Sequence, residues 1–236
     1  MSKLMSKLVL TGLLGVALLF GAPAFAVDGQ ILINQSTVTA AGGFPYKITQ
    51  PGSYKLSGNL VVPASTNGIL IEAEGVTLDL NGFSISGPVT CSGLGSTVSC
   101  SVDSAIRDAY GILDVNVYDV TIRNGITRGF NVGVGAGSAI VEEIHAIGNS
   151  ASGITITGGV LRRSIASFNG LDGIEAVAAT VTENSANFNG GYGLNAATCA
   201  FSANAFLGNG DNSAGAQLRF TFSVSGNNNS CSGTAC

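Results

Sequence analysis

Asp103 and Asp108 lie five positions apart in a Ser- and Gly-rich stretch, with Arg107 between them and Tyr110 just beyond. Two carboxyls of this kind can share the work of glycosidic cleavage when about 5 to 9.5 Å separates them, one as acid and the other as base or nucleophile. The same residues, set on a long loop, could instead form part of a binding surface. A second group, Asp172, Glu175, Tyr192 and Asn195, combines carboxylates, an amide and an aromatic ring, a mixture suited to contacting sugar hydroxyls. His145 is the only histidine. A general base without a carboxylate partner carries little chemistry, so it is read as a turn residue.

These groups need a scaffold, and the scaffold is written as a repeat. From Gly133 onward, Gly133, Gly153, Gly173 and Gly193 recur every twenty residues, each followed by an aliphatic residue: Val134, Ile154, Ile174 and Leu194. Val141, Leu161, Val181 and Phe201 form a second such series, and Ala146, Ala166, Ala186 and Phe206 a third. Asn149, Asn169, Asn189 and Asn209 complete it. The apolar positions come in short alternating pairs between Gly, Asn and Ser, which describes strands of three to five residues rather than helices. Repeats of this length stack as coils, each strand pairing in parallel with its equivalent about 4.8 Å away. The aliphatic series then become an interior, and the Asn series an amide ladder at a turn. The Gly that follows most of these Asn residues is expected to supply the left-handed backbone of that turn.

Earlier coils are visible with looser spacing. Residues 68–88 (GILIEAEGVTLDLNGFSISGP) and 111–130 (GILDVNVYDVTIRNGITRGF) share the order Gly-Ile-Leu, Val-Thr-aliphatic, Asn-Gly. The chain therefore reads as one all-β domain, a single-stranded right-handed parallel β-helix of about seven coils over 61–212. A loop at 89–110 interrupts it, and caps are expected at 27–60 and 213–236.

Stacking allows candidate sites to be tested by position. Glu142, Arg162 and Thr182 are equivalent, as are Glu143, Arg163 and Glu183. Either arginine could serve as the base of a lyase or clamp a carboxylate. Acids one coil away favour structural ion pairs, each contributing about 0 to 1 kcal/mol. No two acids occupy equivalent positions on adjacent regular coils, whereas calcium gathers several oxygens at about 2.3 to 2.6 Å. No metal or cofactor is expected.

The ends and the composition set the compartment. Lys3 and Lys7 precede the apolar run from Leu8 to Phe20, and Ala24-Phe25-Ala26 offers a cleavage site after Ala26; Met5 is an alternative start. This predicts a signal peptide over 1–26, the run being shorter than the roughly 20 apolar residues that span a bilayer. Removing Lys3 and Lys7 takes the formal charge from −4 to −6, and no basic patch remains for nucleic acid. Trp is absent. Five cysteines in an exported chain suggest Cys91 with Cys100, Cys231 with Cys236, and Cys199 left over as a buried filler.

The VTLDLNGFSISGP stretch, the Cys-bearing loop, the VTIRNG segment, the twenty-residue Asn coils and the Cys-containing tail resemble the exported bacterial right-handed β-helix proteins of the pectin-lyase-like superfamily. The resemblance implies a periplasmic or extracellular protein and, by analogy, an acidic polysaccharide as ligand; a monomer is expected. Polygalacturonases in that superfamily carry Gly-His-Gly and alginate epimerases Asp-Pro-His; His145 sits in Glu-Ile-His-Ala and matches neither. Non-catalytic binding of polysaccharide or another surface ligand is therefore the leading expectation. A divergent lyase, epimerase or glycosidase using Asp103, Asp108 and a nearby Arg is the second, and a structural envelope or adhesin module the third.

Overall fold

The computed structural model of the chain describes residues 29–101, 108–115, 117–211, 214–232 and 234–235. It is the parallel β-helix that the spacing predicts. Each coil contributes three short strands, so the stack presents three faces. The first face is an eight-stranded parallel sheet in strict chain order, from Tyr46–Ile48 through Ile69–Ile71, Tyr110–Asp114, Val132–Ala136, Ile154–Thr157, Ile174–Val177 and Leu194–Ala197 to Leu218–Thr221. The second and third faces are joined, because Val120–Arg128 and Ala139–Ile147 each run as one strand through the corner between them.

The three apolar series point inward. Val134, Ile154, Ile174 and Leu194 are fully buried, as are Val141, Leu161 and Val181 with Phe201 closing their column, and Ala146, Ala166 and Ala186 below Phe206. Each larger aliphatic side chain so buried contributes about 1.5–3 kcal/mol. Register follows from this, since a slip of one residue would turn every inward side chain to solvent.

The second face carries nine strands, so the stack has about nine coils rather than seven. Gln30–Ile33 pairs in register with Gly52–Leu56, and Leu218–Thr221, Val224–Ser225 and Ser230–Cys231 continue the faces at the other end. These outer coils escape a fixed period because their turns are longer: Gln30 pairs with Ser53, and Leu194 with Leu218. The N-terminal end is closed by helix α1, Gln35–Ala40, whose Val38 is fully buried. The Asn34 side chain accepts from the Ser36 and Thr37 backbone N–H groups at 3.0 and 3.1 Å, capping that helix.

Both ladder corners follow one rule. Asn149, Asn169, Asn189 and Asn209 are fully buried and bonded in series, each side-chain NH2 reaching the next side-chain oxygen at 2.8–2.9 Å, with Gln217 Oε1 closing the row. A second ladder runs at the corner between the second and third faces, from Ser164 through Asn184 and Asn204 to Asn229. The left-handed residue stands before the ladder position in each coil; of the Gly residues that follow Asn169, Asn189 and Asn209, Gly210 alone is also left-handed, at 51°. Gly148, Phe168, Phe188 and Gly208 have φ of 65, 57, 56 and 65°, and Glu143, Arg163, Glu183 and Ala203 have 55, 50, 60 and 56°. A non-Gly residue there costs about 1–2 kcal/mol, and the buried ladder bonds beside it offset that cost. The Gly after the Asn serves chiefly for close approach: a Cβ on Gly170 or Gly190 would collide with the carbonyl oxygen of Ser150 or Gly170.

Candidate ligand-binding strip

The five residues expected to touch ligand, Tyr110, Asp172, Glu175, Tyr192 and Asn195, all lie on or at the edge of the first face. Tyr110 pairs with Val132, and Ser152, Asp172 and Tyr192 follow as the equivalents on later coils, linked by the backbone bonds Gly133 to Ser152, Gly153 to Asp172 and Gly173 to Tyr192. Tyr110 and Tyr192 thus stand in one column, four coils and roughly 19 Å apart at about 4.8 Å per coil. Beside it runs the outward column Leu113, Gly135, Thr155, Glu175, Asn195 and Arg219.

Side chains of the first column lean onto the second, one coil further along. The Tyr110 ring lies over Gly135, whose missing side chain leaves room for it. Asp172 Oδ2 accepts from Asn195 Nδ2 at 3.0 Å, while its Oδ1 accepts from the Tyr192 backbone N–H at 2.8 Å. The Arg219 guanidinium sits 5.6 Å from the Tyr192 ring centre, within cation–π range. The result is a diagonal strip with a tyrosine near each end and an exposed carboxylate, an amide and a guanidinium between and beside them. Because its two rows are tied to paired parallel strands, the strip is rigid. Arg219 and Gly135 were not singled out in the sequence. Arg219 falls twenty-four positions after Asn195, outside the twenty-residue period, and a Gly signals nothing until the ring above it is seen.

The other candidates are placed differently. Asp108 is exposed in a turn two residues before the first-face strand; Asp103 and Arg107 lie outside the described residues. The described part of the loop, 89–101, lies against the stack. Cys91 and Cys100 are bridged, and both sulfurs lie against the Asn149 carbonyl oxygen at 3.6 and 3.7 Å. Beyond them the Gly95 and Ser96 amides donate to the carbonyls of Phe188 and Gly210. The loop therefore lies lengthwise along the first ladder's corner, because free backbone groups there offer it hydrogen bonds that water would otherwise take. Cys231 is disulfide-bonded and Cys199 is free and buried; Cys236 lies outside the described residues. The Asp79, Arg123, Glu142 and Arg162 positions form one column of alternating sign. Arg162 and Arg163 both bind Glu142 Oε2, at 2.8 and 2.7 Å, and Arg163 also reaches Glu143 at 3.3 Å. These arginines are occupied as ion-pair partners. His145 is exposed in the strand Ala139–Ile147 rather than in a turn, since its neighbours Ile144 and Ala146 both point inward. Among the described residues no group of three or more His, Cys, Asp or Glu is placed to hold a metal ion, and no helix is long and apolar enough to cross a membrane.

No family profile and no curated protein matches the sequence. Two solved structures are similar in part, the periplasmic alginate epimerase AlgG, at 13% identity and a TM-score of 0.46, and a mutant of the same enzyme, at 14% and 0.47. Each match covers 76% of this chain and 40% of the other, so the chain spans about two fifths of the length of those proteins.

Proposed function

We propose that this chain is an exported, monomeric β-helix of the pectin-lyase-like kind that holds an extended polysaccharide lengthwise along its first face without cleaving it. The observation that carries this reading is the single column holding Tyr110 and Tyr192, with polar side chains between them on a rigid flat sheet. Aromatic rings offer apolar surface to a sugar face at little entropic cost, and the Asp172, Glu175, Asn195 and Arg219 groups offer hydrogen-bond partners to its hydroxyls. Both Asp172 oxygens are already bonded, one to a backbone N–H and one to an amide. That suits a fixed acceptor better than a proton-transferring base. Export is supported by the signal-like run over 1–26 and by the Cys91–Cys100 bridge, which persists in oxidising compartments.

The test is calorimetric titration of the mature protein with a panel of neutral and acidic polysaccharides. At least one should bind saturably, and the double variant Tyr110→Ala with Tyr192→Ala should lose about tenfold or more in affinity while keeping its fold. Release of unsaturated uronate or new reducing ends, abolished in Asp108→Ala, would establish catalysis in place of binding. Absence of saturable binding to every glycan in the panel would leave the strip without a role and reject the proposal.

A further inference from the structure

Glu175 stands in the middle of the tyrosine strip, in the outward column between Thr155 on the coil before and Asn195 on the coil after. It is exposed, and among the described residues its carboxylate forms no ion pair and accepts no hydrogen bond. Glu142 and Glu143, by contrast, hold Arg162 and Arg163. Glu is disfavoured within strands, so the fold itself gives no reason for this residue. The Thr155 and Tyr192 hydroxyls on the flanking coils are likewise without a hydrogen bond among the described residues. A free carboxylate offers about four acceptor sites on two oxygens. Adjacent hydroxyls on a sugar ring present two donors side by side, and hydrogen bonds to an ionised acceptor are the strong ones.

The sign of the charge along the strip narrows the ligand further. Asp172 and Glu175 lie on it, and Asp108 is exposed at its Tyr110 edge. The cation among them is Arg219, which rests on the Tyr192 ring at the far end. Three carboxylates against one guanidinium leave a formal charge of −2. Lys47 and Glu72, on the first coils of the same face, pair with each other and cancel. The chain as a whole is acidic, at −4. A polyuronate carries a carboxylate on every sugar, so a length of it spanning the roughly 19 Å between the tyrosines would lay several negative charges over Glu175 and Asp172. Arg219 can answer only one of them.

We infer that the strip takes a neutral polysaccharide and discriminates against acidic ones, with Glu175 accepting from a pair of adjacent ring hydroxyls. This rests on the strip's being a polysaccharide site, and it reverses the ligand charge that the family resemblance implies. Calorimetric titration of the mature protein with polygalacturonate and with its fully methyl-esterified form compares one backbone with and without charge; xylan and galactomannan extend the neutral arm and alginate the acidic one. The tightest ligand should be uncharged and should bind about tenfold or more tightly than either polyuronate. Raising NaCl from about 0.05 to 0.5 M should leave neutral binding unchanged and strengthen polyuronate binding, because screening weakens repulsion. Glu175→Gln should weaken the neutral ligand about tenfold with no change in the unfolding midpoint, and Glu175→Lys should shift the preference toward polygalacturonate. A polyuronate bound as tightly as the best neutral polymer overturns the inference while leaving the strip a polysaccharide site. Unchanged neutral affinity in Glu175→Gln overturns the role of Glu175. Absence of binding in both arms overturns the site itself, and the inference with it.

Discussion

The Tyr110 ring fills the space above Gly135: a Cβ at position 135 would stand 2.7 Å from Cε1 and 2.8 Å from Cδ1 of that ring. The ring's position therefore depends on a residue one coil away that contributes nothing of its own to a ligand. Gly135→Val should push Tyr110 off the strip and reduce polysaccharide affinity to the level of Tyr110→Ala. Val favours a strand interior that Gly weakens, so the unfolding midpoint should not fall. A loss of binding accompanied by a matching loss of stability would contradict this account.

Asn169 is an interior member of its ladder. Its side-chain oxygen accepts from both the backbone N–H and the NH2 of Asn149, and its own NH2 donates to Ala146 O and Asn189 Oδ1. Asn169→Ala should strand several fully buried donors and acceptors, at a cost of about 3 kcal/mol or more. Asn187→Ala, which removes one bond to Ser185 at a partly exposed site, should cost about 1 kcal/mol or less. Denaturant unfolding of the two variants measures the difference. Equal losses would show that the ladder has no special weight.

Thr127 is fully buried in the inward column between Ile85 and Ala146, and its hydroxyl has no hydrogen-bond partner. Thr127→Val replaces that hydroxyl with a methyl of similar shape. It should raise stability by about 1 kcal/mol, read as a higher denaturant midpoint with an unchanged slope. A lower midpoint would imply that the hydroxyl is satisfied in solution.

Burial raises the phenol pKa of Tyr46, and burial followed by the nearby Tyr46 raises that of Tyr54, both above the ordinary 10.0. Folding thus favours the neutral phenols. The stability this confers is fully present below pH 10 and declines as the pH climbs through the folded-state values. Tyr54→Phe should reduce the alkaline loss, at the expense of the hydroxyl's 2.9 Å bond to the Gln50 carbonyl near neutral pH. Ultraviolet phenolate titration alongside unfolding at pH 9 to 12 checks the sign. Stability that rises through that window would refute it.

Residues spaced by twenty determined most of the fold without coordinates. Val134, Ile154, Ile174 and Leu194 must share a wall, and Asn149, Asn169, Asn189 and Asn209 a turn, because a fixed period in a stacked chain places equivalent atoms one strand spacing apart. The second ladder was equally readable, since Ser164, Asn184 and Asn204 keep the same interval, though Ser at its first rung and a longer turn before Asn229 disguise it. The outer coils and Arg219 were not readable in this way, because turns of variable length break the period while leaving the pairing intact. Three-dimensional packing alone decided where the first half of the loop, 89–101, lies, since its course depends on which backbone groups of Phe188 and Gly210 are free to receive Gly95 and Ser96. It also decided that Tyr110 and Tyr192 lean along the axis onto the next coil. A period fixes the height of a residue in the stack, but the direction of its side chain is set by the room its neighbour leaves, and Gly135 leaves that room.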